Sequence, residues 1–262
     1  MTAPPTSVTT VADGVARVSW TRDLVEDGGW QTAAAEVAVA VEAALGEHAR
    51  VEAHVAADDP QSLRVATWAG MRREGVRRGV DVDHVVFARL RTDVPVHEPG
   101  GFRALLNSFL PRKRAISQML VRDHESRVLL CSLTYKQDWD LPGGVVEVGE
   151  SPQLAVSREV SEELGLTIPA GRLLLTDWLP PWGGWDDALC LVFDGGVHEA
   201  TIADKIVRET REIRAAEFCT LDEARARCAD FTARRLEAAV TLAHEGAGPA
   251  YTESGEHADP SP

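Results

Sequence analysis

The apolar residues of this chain fall into two stretches with different rhythms. In the carboxyl-terminal stretch, Ala115–Val121 and Val128–Ser132 are short continuous apolar runs on either side of the polar segment Arg122-Asp-His-Glu-Ser-Arg127, a pattern that predicts a hairpin of buried strands. Leu173–Trp178 and Ala188–Phe193 read as a second strand pair, and Ile213–Cys219 as a further strand. Leu221–Cys228 and Phe231–Ala243 have the spacing of amphipathic helices. In the amino-terminal stretch, a strand at Ala16–Trp20, an alanine-rich helix at Thr32–Leu45, a strand at Arg50–Ala56, a short helix at Gln61–Ala69 and a strand near His84–Leu90 form a βαβαβ run. The fold class is α/β, in two parts.

One further helix is marked at both ends. Ser151 followed by Pro152 has the form of an N-cap with proline at the first helical position, and Gly165 has the form of a C-terminal stop. The helix between them, Pro152–Leu164, puts Leu154, Val156, Val160 and Leu164 on one side. Ahead of it, Pro142, Gly143 and Gly144 close a turn after the apolar run Trp139–Leu141.

At 262 residues the chain has room for two small domains, each long enough for its own core. The proline- and glycine-containing segment Asp93–Pro111 reads as the junction, with a short helix at Phe102–Leu110. The expected partition is residues 11–93, a linker at 94–112 and residues 113–245. Residues 1–10, rich in Thr and Pro, and the acidic residues 246–262 are expected to be disordered tails. A net charge of −14 argues against bulk nucleic-acid binding, which needs many Lys or Arg contacts to phosphate. The four cysteines lack CxxC spacing and are expected as free, buried thiols. No apolar run of spanning length and no signal-type segment occurs in the sequence, so the expectation is a cytoplasmic protein that does not enter a membrane.

The chemistry concentrates between Gly144 and Leu166. The order is Gly144, five residues, Glu150, seven residues, Arg158-Glu159-Val160, one residue, Glu162-Glu163, one residue, Gly165-Leu166. On a helix, Glu159, Glu162 and Glu163 fall within an arc of roughly 100°, because positions three and four apart are surface neighbours. In a partly closed cleft with an effective dielectric near 20, carboxylates about 5.5 Å apart repel by roughly 3 kcal/mol per pair, so a cleft version of this face needs a cation. Three hard oxygen donors without His or Cys favour Mg²⁺ or Mn²⁺. The competing reading is a solvated acidic helix face, which leaves the flanking glycines and Arg158 unexplained. Arg158 and Glu150 are placed to pair and brace the loop against the helix.

This pattern resembles the Nudix box at every signature position, and the resemblance extends over about half of the chain. It implies an α/β/α sandwich on a mixed sheet and hydrolysis of a phosphoanhydride in a nucleotide or nucleoside diphosphate derivative, a small-molecule substrate, with Mg²⁺ or Mn²⁺. Carried over position by position, Glu159 and Glu163 would be the principal metal ligands, Glu162 an additional ligand, and the backbone carbonyl of Gly143 a further one. Gly144, Glu150, Arg158 and Gly165 would be structural. The general base in such proteins is either a box glutamate or one from a later loop, here Glu209 or Glu212, and a homodimer is an expectation of the same kind. Lys136 could reach a phosphate, or be a solvated charge. Trp182 and Trp185, in a Pro/Gly-rich loop, could stack a base or sugar, or fold back onto the core.

The amino-terminal run is similar in its ordering to the second half of GNAT-type N-acetyltransferases, notably at Arg50-Val-Glu-Ala-His-Val and Gly70-Met71 followed by Glu74-Gly75. Where that family has a glycine-rich pyrophosphate loop, this chain has Glu26-Asp-Gly-Gly29-Trp-Gln31, with acids that repel phosphate and a bulky Gln31. The resemblance implies a degenerate half-domain retained for packing. Three functions remain open on the sequence: a metal-dependent Nudix hydrolase, a non-catalytic nucleotide sensor, and a bifunctional acetyltransferase–Nudix protein.

Overall fold

The computed structural model describes residues 5–257, which divide into two compact units at the boundary between Pro111 and Arg112. The first unit contains β1 (Thr6–Ala12), β2 (Val15–Trp20), α1 (Arg22–Glu47), β3 (Arg50–Ala56), α2 (Pro60–Trp68), β4 (Arg72–Arg77), β5 (His84–Leu90) and α3 (Pro99–Phe109). Its sheet runs β1-β2-β3-β5-β4, with β2 and β3 parallel over Val15–Arg17 only and the other neighbours antiparallel. Strict alternation buries Ala16 and Val18 of β2 and Val51, Ala53 and Val55 of β3 against Val37 and Val41 of α1 and Val65 of α2.

Three expectations are corrected in this unit. Residues of the expected amino-terminal tail form β1, whose Thr-rich sequence suits a strand exposed at the sheet edge. The arginine-rich segment after Met71, for which the sequence pattern predicts no element, is the edge strand β4, its side chains mostly exposed. The long helix begins at Arg22, ten residues before Thr32, and is interrupted at Gly29, whose φ of 74° no helical residue adopts. The expected linker carries α3, which starts at Pro99 and packs on β4 through Ser108, whose Oγ accepts from the Arg73 N–H at 3.1 Å.

The second unit contains β6 (Arg114–Asp123), β7 (Val128–Leu133), β8 (Trp139–Asp140), β9 (Gly143–Val145), α4 (Pro152–Leu164), β10 (Leu173–Leu179), β11 (Ala188–His198), a 3₁₀ turn at Ala200–Lys205, β12 (Ile213–Cys219), α5 (Leu221–Arg227), α6 (Asp230–Glu245), β13 (Ala250–Glu253) and β14 (Glu256–His257). The mixed sheet runs β12-β7-β6-β11-β10-β13-β14, with β6 parallel to β11 and β10 parallel to β13. β6 and β7 pair only at Arg122 and Val128 and then part, and β9 fills the gap on β6 while β8 pairs with β7. Alternation in β6 sends Met119 and Val121 to one face, under Val156, Val160 and Leu164 of α4, and Leu120 to the other, under Leu236 and Val240 of α6. The result is an α/β/α sandwich.

The second unit departs from expectation at two places. Leu154 is exposed, and Ala155 with Val156 takes the inward positions of the first helical turn. Residues 250–257, expected as tail, extend the sheet, because Asp177 holds them by side-chain contacts described below. The four cysteines are free and buried.

Candidate active site

The turn between β8 and β9 delivers backbone to the acidic helix. Gly143 lies opposite Gln118 in the β6–β9 ladder at φ 136°, and a side chain there would collide with the Ser117 carbonyl. Its N–H donates to Glu163 Oε2 at 3.1 Å. Gly144 is glycine for a different reason: a Cβ on it would lie 2.6 Å from the Glu159 carboxylate. Ser151 caps α4 by accepting from the Leu154 N–H, and Gly165 ends it in the left-handed region at φ 66°.

Glu163 is 5% exposed although it carries a carboxylate. Burial pushes its pKa up to about 8 against the counter-effect of the Gly143 N–H, and the negative charges of Glu159, Glu212 and Asp140 push the same way. Glu159 is raised as well, first by burial and then by Glu162 and Glu212, with Arg158 opposing. Among the described residues no Lys, Arg or His pairs with Glu163.

Arg158 organises the opposite edge. It donates to both oxygens of Glu150, Nε to Oε1 at 2.9 Å and Nη2 to Oε2 at 3.0 Å, and its Nη1 lies 3.1 Å from Glu159 and 2.9 Å from Glu162. The bidentate fork holds Glu150 below the usual carboxylate range and raises Arg158 further. Glu162 is mostly exposed and turned toward Arg158. Among the described residues, no three His, Cys, Asp or Glu side chains converge closely enough to cage an ion as they lie.

The loop before β12 closes over the end of α4: the Val207 and Glu209 N–H groups donate to the Leu164 and Glu163 carbonyls, each at 2.9 Å. The two later-loop candidates then separate. The Glu209 carboxylate is held by Arg211 at 2.9 Å and stays low for that reason. Glu212 acts through its charge on both Glu159 and Glu163.

Lys136 is not free. Its Nζ lies 2.6 Å from Asp140 Oδ2, and Asp140 Oδ1 accepts from Gln118 Nε2 at 2.7 Å and from the Leu141 N–H at 2.9 Å. Burial alone would raise Asp140, but Lys136 and Arg235 outweigh it and hold the carboxylate low. Trp182 and Trp185 stand at the two ends of a tight hairpin, paired through both backbone N–H groups across Gly183 and Gly184, both at positive φ. The two residues are 61% and 57% exposed, the Trp182 ring edge-on to Phe231 and the Trp185 ring under the Arg114 guanidinium.

Sequence reasoning missed Gln118, Asp140, Asp177 and Arg235. The signal was present in part: Gln118 and Asp177 are long or charged polar residues, next to Ser117 and Thr176, inside runs that otherwise read as apolar.

A glycine turn and a capped acidic helix thus meet on one face of an α/β/α sandwich. The NUDIX domain profile matches residues 111–240. A MutT-like protein of Streptomyces ambofaciens is 31% identical over 152 residues, covering 56% of this chain and 87% of that protein. Diphosphoinositol polyphosphate phosphohydrolase 2 of Rattus norvegicus is 44% identical over 64 residues, 24% of this chain and 36% of that enzyme's length. Among solved structures, the MutT protein from Methanosarcina mazei Go1 is 23% identical with a TM-score of 0.43, covering 52% of this chain and 98% of that one. This chain belongs to the Nudix family. It is a hydrolase acting on pyrophosphate bonds.

Proposed function

We propose that the carboxyl-terminal unit cleaves the phosphoanhydride of a nucleotide or nucleoside diphosphate derivative with the help of Mg²⁺ or Mn²⁺. The observation that carries this reading is Glu163: a buried carboxylate facing further negative charge, with a backbone N–H as its hydrogen-bond donor. Such an arrangement fits a hard divalent cation, since the donors are oxygens and ionised Glu163 is costly without one. Glu159 and Glu163 would hold the ion with the Gly143 carbonyl, and Glu162 would join on release from Arg158. When bound, the ion supplies charge neutralisation at the pyrophosphate and lowers the pKa of water.

The protein's own groups do the rest. Arg158 and Glu150 fix the loop between Val145 and Ser151 against α4. Glu212, the later-loop acid whose charge reaches Glu159 and Glu163, accepts the proton of the attacking water at its carboxylate. Trp182 and Trp185 offer exposed faces for stacking a base or sugar.

The test is release of phosphate or a nucleoside monophosphate from a panel of nucleoside triphosphates, ADP-ribose, dinucleotides, nucleotide sugars, capped RNA and a diphosphoinositol polyphosphate. Activity is expected only with Mg²⁺ or Mn²⁺, and Glu163→Gln is expected to lower kcat by about a hundredfold or more. Turnover undiminished in EDTA, or a fully active Glu163→Gln protein, rejects the reading. For the amino-terminal unit we propose a packing role without acetyl transfer, and calorimetric binding of acetyl-CoA at micromolar concentration would overturn that.

A further inference from the structure

Under α6 a line of buried polar side chains crosses the sheet from the Gly143 turn to the carboxyl-terminal hairpin. Its centre is Arg235, 2% exposed and fully enclosed by the second unit. Arg235 Nε donates to Asp177 Oδ2 at 2.8 Å, and Arg235 Nη1 donates to Gln118 Oε1, also at 2.8 Å. Gln118 Nε2 in turn donates to Asp140 Oδ1 at 2.7 Å. On the far side, Asp177 Oδ1 accepts from Thr252 Oγ1 at 2.8 Å and from the Gly255 N–H at 2.9 Å.

The donors and acceptors permit one orientation of this line. A guanidinium only donates and an ionised carboxylate only accepts, so the Gln118 amide must turn its oxygen to Arg235 and its nitrogen to Asp140. Reversing it would set donor against donor at one end and acceptor against acceptor at the other. Gln118 thereby clasps the turn at both ends: its side chain holds Asp140, which also accepts from Leu141, and its backbone lies in register with Gly143. The Met119 N–H adds a bond to the Pro142 carbonyl at 2.9 Å.

A buried ion pair is a poor source of net stability, since apolar residues of the same volume are often as stable. What it does supply is a fixed orientation. We propose that Arg235 is a positioning residue for the carboxylate site: through Gln118 it fixes the turn whose Gly143 N–H grips Glu163, and through Asp177 it makes β13 and β14 part of that site. The inference rests on the reading of Glu163 as a metal carboxylate.

The experiment is Mn²⁺ titration of the full-length, metal-free protein, with free Mn²⁺ measured by electron paramagnetic resonance. Wild type is expected to bind Mn²⁺ and Glu163→Gln to lose that binding. Arg235→Met is expected to weaken it about tenfold or more, the usual effect of removing a group that orients a ligand. Gln118→Leu, a gentler change, is expected to do the same, and the double variant to be no worse than the weaker single one, because both break one line. Leu236→Ala, a buried neighbour on α6 outside the line, serves as the control for lost stability and is expected to leave the affinity of the folded protein unchanged. Should Arg235→Met fail to fold, Gln118→Leu decides. Wild-type affinity in Gln118→Leu or in folded Arg235→Met overturns the proposal alone, as does an equal loss in Leu236→Ala. A wild-type protein that binds no Mn²⁺ overturns the metal reading and this inference together.

Discussion

Glu163 ties protonation to folding and, on the proposed reading, to metal. Its pKa rises from 4.5 to about 8 in the folded metal-free protein, so between those values the folded state holds a proton that the unfolded chain has released. Its contribution to stability is therefore complete below about 4.5 and is lost as pH rises toward 8. In EDTA the unfolding free energy is expected to fall across that window, by up to about 1.4 kcal/mol per pH unit, and the Glu163→Gln protein to lack this slope. Denaturant titrations at successive pH values check it, and parallel slopes would refute the assignment. A metal held by Glu163, as proposed, would compete with the same proton, so Mn²⁺ affinity is expected to rise with pH up to about 8. Gly144 gives a second test at this scale. The Cβ of Gly144→Ala would sit 2.6 Å from the Glu159 carboxylate, and displacing that group is expected to lower kcat by about a hundredfold. Steady-state kinetics should show the loss in kcat rather than in stability.

At the scale of elements, α4 was legible because each end carries a local signal, Ser151-Pro152 and Gly165, and because its apolar side repeats at helical spacing. Replacing Gly165 by Ala forces a Cβ into the left-handed region and is expected to cost about 1–2 kcal/mol, read as a lower Tm. The larger strands were legible by their continuous apolar runs. Strands β8 and β9 were not, since two or three residues carry no period, and the turn between them was read without its pairing to Gln118. Strand β13 was hidden for another reason. Its local sequence is polar and acidic, and what orders it is Asp177, distant in the chain, accepting from Thr252 and Gly255. The site divides in the same way. Residues carried by one helix and one turn could be read, whereas Lys136 looked free because its partner Asp140 lay in an apolar run, and Arg235 sits in a helix whose amphipathic spacing gives no sign of a buried charge. The Trp182–Trp185 hairpin is a local element whose function is open to test. Its indoles are exposed rather than folded into the core, so alanine at either is expected to raise KM about tenfold with kcat little changed, the signature of lost stacking.

For the molecule as a whole, two cores imply two separable folding units. The amino-terminal sheet buries Val18, Val51, Val55 and Phe87 among residues of its own unit, and the carboxyl-terminal sheet has apolar clusters on both faces. Every residue placed at the site, from Gln118 to Gly255, comes from the second unit. A unit of that length normally supports an independent core. A chain limited to residues 112–262 is therefore expected to fold alone and to hydrolyse the same substrate with kcat/KM within about threefold of the full protein. Stopping that chain after residue 248 removes Thr252 and Gly255 and leaves Asp177 with Arg235 alone. The same network is broken from the other side by Asp177→Ala, which strands a buried guanidinium and is expected to cost about 3 kcal/mol or more. Calorimetry separates the cases. One transition for residues 112–262 at the position of the carboxyl-terminal transition in the full protein supports independence. A fragment that melts far lower shows that residues 1–111 stabilise the second unit, and one that folds but does not turn over overturns the expectation of independent activity.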